Sequence, residues 1–174
     1  MKYFYLILVL IILSCKSDVE KKNQPPIALS ENSKDELEIY DFDGFKKFLN
    51  KNDDKIYVIN FWATWCAPCV KELPYFEKLN AIYENKNVEV VLVSLDFPHL
   101  YESKLKPYIK NKNLKSKVVA LDDPDMNSWI PLVSQEWSGS IPATVIYNKD
   151  KKQFYEQSFT YAELEKEVNQ FLKQ

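Results

Sequence analysis

Cys66 and Cys69 are two thiols separated by two residues, set in the run Phe61-Trp62-Ala63-Thr64-Trp65-Cys66-Ala67-Pro68-Cys69. Hydrophobic residues from Ile56 to Ala63 read as a buried strand, and the segment from Cys69 onward reads as a helix, which places the pair where strand turns into helix. A helix N-terminus carries free N–H groups and the positive end of the dipole, and both favour a thiolate at Cys66. The short spacing lets Cys69 close a ring onto it. The chemistry this predicts is thiol–disulfide exchange through a reversible Cys66–Cys69 disulfide.

Other chemistries fit the composition poorly. The chain has 174 residues and a formal net charge of −2, which gives no reason to expect a nucleic-acid partner. Its only glycines are Gly44 and Gly139, so there is no glycine-rich phosphate loop and no expectation of a nucleotide cofactor. One histidine, His99, and the Cys66/Cys69 pair, with Cys15 the one other cysteine and set apart in the N-terminal apolar segment, do not make up the usual set of about four zinc ligands. Haem attachment needs His directly after the second cysteine, where Val70 stands. No metal and no cofactor are expected, and His99 is assigned to the flank of a surface helix.

The Phe61–Cys69 run resembles the active-site segment of the thioredoxin superfamily. With Val70-Lys71-Glu72-Leu73-Pro74 following and Ile141-Pro142 downstream, the pattern is similar to extracytoplasmic, membrane-anchored thiol–disulfide oxidoreductases of the TlpA/ResA type. The resemblance covers roughly residues 39–172. It implies an α/β, thioredoxin-like fold, in which a central mixed β-sheet is flanked by helices on both faces. Cys66 is then the nucleophile and Cys69 the more buried, resolving thiol. Pro142 is the cis-proline packed opposite the disulfide, and the Ile141 backbone pairs with an extended substrate segment. Trp65, Ala67, Pro68 and Ile141 together form the substrate-binding surface, with the Trp65 ring placed to cover the thiol. Pro68 also stiffens the helix start and so influences the redox balance.

Glu72 lies one turn beyond Cys69 on the same helical side. By resemblance it matches an acidic residue that influences protonation of the pair, and its hypothesised role is to assist deprotonation of Cys69. The alternative is a solvated helix glutamate. Asn60 stands six residues before Cys66, where cytoplasmic thioredoxins carry a buried aspartate. A neutral amide cannot take a proton, so Glu72 or water must serve instead.

The N-terminus reads as a separate unit. Lys2 precedes an apolar run from Tyr3 to Leu13, too short to span a bilayer. The ending Ile12-Leu13-Ser14-Cys15 resembles a bacterial lipobox, which implies lipidation of Cys15; an ordinary secretory signal is the alternative. Residues 1–15 are thus expected to be a lipoprotein-type signal peptide, 16–38 a polar tether and 39–174 the thioredoxin-like domain. Such a tether would span roughly 25 Å root-mean-square. Pairing of Leu37 to Tyr40 as an added strand is left open. The expected partners are disulfides of exported proteins, a membrane-embedded thiol electron donor and the membrane itself.

The remaining elements follow from pattern. Asp43 to Asn50 reads as a short helix capped by Asp43. A helix is predicted over Ala67–Tyr83, kinked at Pro74, and a buried strand over Val88–Leu95, parallel to the first. Pro98–Asn111 reads as a helix, inside a segment, Phe97 to Lys115, that the resemblance identifies with the TlpA/ResA insertion. Lys117–Leu121 reads as a strand, and Asp122–Gly139 as irregular with one helical turn at Trp129–Val133. Ala143–Asn148 and Gln153–Phe159 read as a hairpin. A final amphipathic helix starts at a Thr160/Glu163 capping box and buries Leu164, Val168, Phe171 and Leu172.

Two other function classes are compatible with such a fold. A non-catalytic binding or assembly domain would not need an intact Cys-x-x-Cys. A peroxiredoxin-type peroxidase would use Thr-x-x-Cys with a nearby arginine, and the chain has no arginine.

Overall fold

The computed structural model describes residues 36–172; the expectations for the signal segment, Cys15 and nearly all of the tether fall outside them. Six strands form one sheet in the order β1-β4-β3-β2-β5-β6. They are β1 (Glu38–Tyr40), β2 (Ile56–Trp62), β3 (Val88–Ser94), β4 (Lys117–Leu121), β5 (Ala143–Tyr147) and β6 (Lys152–Tyr155). β1 through β4 and β3 to β2 run parallel, whereas β5 pairs antiparallel with both β2 and β6. The strand left open for Leu37 to Tyr40 therefore exists, and Glu38, assigned to the tether, is its first residue.

β2 is buried along its whole length, as a central strand covered on both faces must be. Successive side chains of a strand point to opposite faces, so Ile56, Val58 and Trp62 enter one core while Tyr57, Ile59 and Phe61 enter the other. The first core is closed by α2 (Ala67–Tyr83) and α5 (Tyr161–Leu172), through Leu73, Phe76, Leu79, Leu164, Val168 and Phe171. The second lies under α1 (Phe42–Phe45) and α4 (Met126–Val133), where Phe42 stacks on Trp129 with ring centres 5.7 Å apart. The same alternation turns Asn60 and Thr144 toward the α2 side. They are paired residues of β2 and β5.

Several local expectations need correction. The first helix begins at Phe42 and is capped by Asp41, not Asp43: the Gly44 N–H donates to Asp41 Oδ1 at 2.8 Å. A Cβ on Gly44 would stand 3.1 Å from that oxygen and 3.1 Å from the Tyr40 ring, which accounts for the glycine. The chain tightens to a 3-10 turn over Lys46–Phe48 in place of a helix to Asn50. Pro98–Asn111 is not one helix but a 3-10 turn (Pro98–Leu100), a wide π turn (Tyr101–Leu105) and α3 (Lys106–Lys112). Lys106 N–H reaches back five residues to Tyr101 O, and Pro107, having no N–H, cannot restore the four-residue ladder. The turn at Trp129–Val133 extends back to Met126, held where the Trp129 indole donates to the Asp123 carbonyl at 3.1 Å. β6 ends at Tyr155, short of Phe159.

The capping box forms as expected. Glu163 accepts from the Thr160 N–H and hydroxyl, each at 2.8 Å.

Candidate active site

Cys66 is the N-cap of α2, in an extended conformation that lets its sulfur accept the Cys69 N–H at 3.3 Å. Pro68 occupies the first turn, where its missing N–H has no carbonyl to serve. The two sulfurs are joined in a disulfide with Cα atoms 5.3 Å apart. Cys69 is fully buried and Cys66 retains 6% exposure, so an incoming thiol meets Cys66 first. Opposite it stands the cis Ile141–Pro142 peptide, with the Ile141 carbonyl oxygen 3.7 Å from Cys66 Sγ. In the disulfide this sulfur has no hydrogen to donate, so the approach is a contact. Trp65, Ala67 and Pro68 are exposed around it. The Trp65 ring, 54% exposed, stacks against the exposed Phe97 with centres 6.2 Å apart.

One helical turn beyond Cys69 on α2 is a buried carboxyl. Glu72 is 1% exposed, so the reading as a solvated glutamate is overturned. One oxygen accepts the Phe159 N–H at 2.7 Å and the other accepts Asn60 Nδ2 at 3.0 Å. Burial penalises the charged form more than these two bonds favour it, and it pushes the Glu72 carboxyl up to about 7.

Two positioning groups escaped the sequence reading. Asp96, buried just past β3, accepts from the Thr64 N–H at 2.9 Å, from the Thr64 hydroxyl at 2.5 Å and from the Ser94 hydroxyl at 2.9 Å. It thereby ties the turn entering Cys66 to the neighbouring strand. A carboxylate two residues past a largely apolar strand was the available signal. Glu156 accepts the N–H groups of Ser138 and Ser140, each at 3.0 Å, and the Ser138 hydroxyl. These bonds span Gly139, whose φ of +97° favours glycine, and shape the approach to Pro142. Asp96→Ala would strand Thr64 and Ser94 donors in a buried setting. It is expected to lower stability by about 2–3 kcal/mol, read as a lower denaturation midpoint in urea at unchanged slope.

A family model described as the AhpC/TSA family matches residues 28–153, most of the sequence. The chain belongs to the AhpC/TSA family. Within it, similarity runs to proteins named thiol-disulfide oxidoreductase ResA. The one from Oceanobacillus iheyensis is 52% identical over 48 residues, which is 28% of this chain and 25% of that protein. The one from Geobacillus thermodenitrificans is 38% identical over 64 residues, 37% of each. The matches thus span between a quarter and about two-fifths of these relatives. Among solved structures, a thioredoxin-family thiol:disulfide interchange protein from Chlorobium tepidum superposes with a TM-score of 0.57 at 20% identity, over 68% of this chain and 81% of that one. The fold is therefore thioredoxin-like. In this AhpC/TSA member the residue three before Cys66 is Ala63, so a Thr-x-x-Cys peroxidatic pattern is not met at that cysteine.

Proposed function

We propose that the protein is an extracytoplasmic thiol–disulfide oxidoreductase that reduces disulfides of exported proteins through Cys66 and Cys69. The observation that carries this reading is a disulfide at a helix N-terminus whose more exposed sulfur faces a cis-proline loop. The similarity to proteins named thiol-disulfide oxidoreductase supports it.

In the reduced enzyme the Cys66 thiolate attacks a substrate disulfide. A Cys66–substrate bond forms, and the displaced substrate sulfur leaves as a thiolate that takes a proton. Cys69, 5.3 Å away between Cα atoms, then loses its proton and attacks the Cys66 sulfur, releasing the second substrate thiol and regenerating the intramolecular disulfide. Two electrons pass from the pair to the substrate, and the structure corresponds to the oxidised form. Glu72 is assigned the proton from Cys69: it sits one helical turn on, and its raised affinity suits it to accept a proton near neutral pH. Trp65, Ala67, Pro68 and Ile141 meet the substrate chain. Lipidated Cys15 would hold the domain at the membrane, next to a membrane-embedded thiol donor that returns the electrons.

Thiol trapping across a series of thiol/disulfide buffers tests the reading. A reversible two-electron transition of Cys66 and Cys69 at the reducing end of the range is expected. An oxidising midpoint would reverse the direction, and the absence of a transition would favour a non-catalytic binding domain.

A further inference from the structure

Asn60 lies between two oxygens and satisfies only one end of its amide. Its Nδ2 donates to Glu72 Oε1 at 3.0 Å and to Thr144 Oγ1 at 3.1 Å, while its Oδ1, equally buried, has no partner. An ionised carboxylate accepts only, so this orientation is the one an ionised Glu72 selects. A protonated Glu72 becomes a donor, and the Thr144 hydroxyl can donate as readily as accept. A half-turn of the Asn60 side chain would then bring Oδ1 between two donors and move Nδ2 to the unpartnered place. Each orientation makes the same two bonds, and each suits one protonation state.

We propose that Asn60 is a positioning residue whose amide turns with the protonation of Glu72, so that the carboxyl is held in place both before and after it takes the Cys69 proton. This rests on the role assigned to Glu72 above. An aspartate at position 60 could not act in this way, because an ionised Glu72 would face a second carboxylate and one of the two would be forced to stay protonated. The groups that bond Glu72 come from β2 (Asn60) and from the segment ahead of α5 (the Phe159 N–H), with Thr144 of β5 reached through Asn60. None of them is charged. The titratable groups nearest it along its own helix and cap are Cys66 and Cys69, which form the disulfide, the adjacent Lys71, which is exposed, and Tyr75, one turn on. The titration of Glu72 is thus governed by burial and by two donors, of which only Asn60 can reverse its polarity.

The test is side-chain NMR of the full chain in its oxidised form, with labelled Glu carboxyl carbons and Asn amides, from pH 5 to 9. The Asn60 amide signals are expected to titrate with the same midpoint as the Glu72 carboxyl, near 7, and to become flat in Glu72→Gln. In Asn60→Ala the Glu72 midpoint is expected to stay within about half a pH unit of the wild type, because the variant loses a bond to both protonation states; a rise of about one unit or more would show that Asn60 serves the ionised form alone and would overturn the turn. Asn60 signals that stay flat while Glu72 titrates in the wild-type chain would overturn the proposal. The wild-type reading needs no variant to fold. If the amide tracks Glu72 but Glu72→Gln resolves mixed disulfides at the wild-type rate at every pH, the catalytic role of Glu72 fails while the coupled turn stands.

Discussion

Cys66→Ser is expected to lower disulfide reduction on the order of a thousandfold or more, whereas Cys69→Ser is expected to stop the reaction one step later. The asymmetry follows from burial. Cys66 keeps the only part of the disulfide that is open to solvent, and Cys69 is sealed beneath it. Without Cys66 no thiolate can reach an incoming disulfide. Without Cys69 the attack proceeds, but nothing displaces Cys66 from the substrate, so a covalent enzyme–substrate adduct accumulates. Non-reducing gel electrophoresis and mass spectrometry of Cys69→Ser mixed with a disulfide-containing protein would show this adduct, cleavable by reductant. Equal adduct formation by Cys66→Ser would invert the assigned order of the two thiols.

Glu72→Gln is expected to change both the pH profile of catalysis and the stability of the fold. The carboxyl titrates at 4.5 when free and at about 7 in the folded chain, because burial disfavours its charge. Between those values the native state holds a proton that the unfolded state has released. Stability therefore falls as pH rises from about 4.5 to 7 and is level beyond it, a loss of roughly 3 kcal/mol over that interval. Glutamine is neutral throughout, so the variant should lack this slope and gain on the wild type at pH 8. Its amide can still accept from the Phe159 N–H, with Asn60 turned to meet its donor end. Urea denaturation at pH 5 and pH 8 measures the difference. For catalysis, wild-type resolution should accelerate as Glu72 ionises through about pH 7, and the variant should lose that inflection. Parallel profiles for the two proteins would remove Glu72 from the proton path.

The two effects pull in opposite directions. A buried carboxylate that is ionised above about pH 7 costs stability there, where the proposed proton transfer would need it, and the core around α2 and α5 has to offset that cost. Strained or unfavourable electrostatics of this kind concentrate where chemistry is done.

The sequence by itself determined the central strands and their depth and the helix that begins at the cysteine pair, while the cis-proline position followed from the family resemblance. The strands and helices are set by local pattern: an apolar run in β2 and β3, a Pro in the first turn of α2, and a capping box at Thr160 and Glu163. It determined less well where the chain is governed by single residues competing with a regular pattern. Asp41 outcompeted Asp43 as a cap because Gly44 lies three residues beyond it, and Pro107 broke a helix that the surrounding residues would otherwise have continued. Only the tertiary structure decided the environment of the site. Glu72 looks like any helix glutamate in sequence, but in the fold it is buried and accepts the N–H of Phe159, 87 residues away. Asp96 reaches Thr64 across 32 residues, and Thr144 reaches Asn60 across 84. Spacing along one element fixes which face a side chain occupies; the partner it meets there, and hence its affinity for a proton, comes from parts of the chain that only folding brings together.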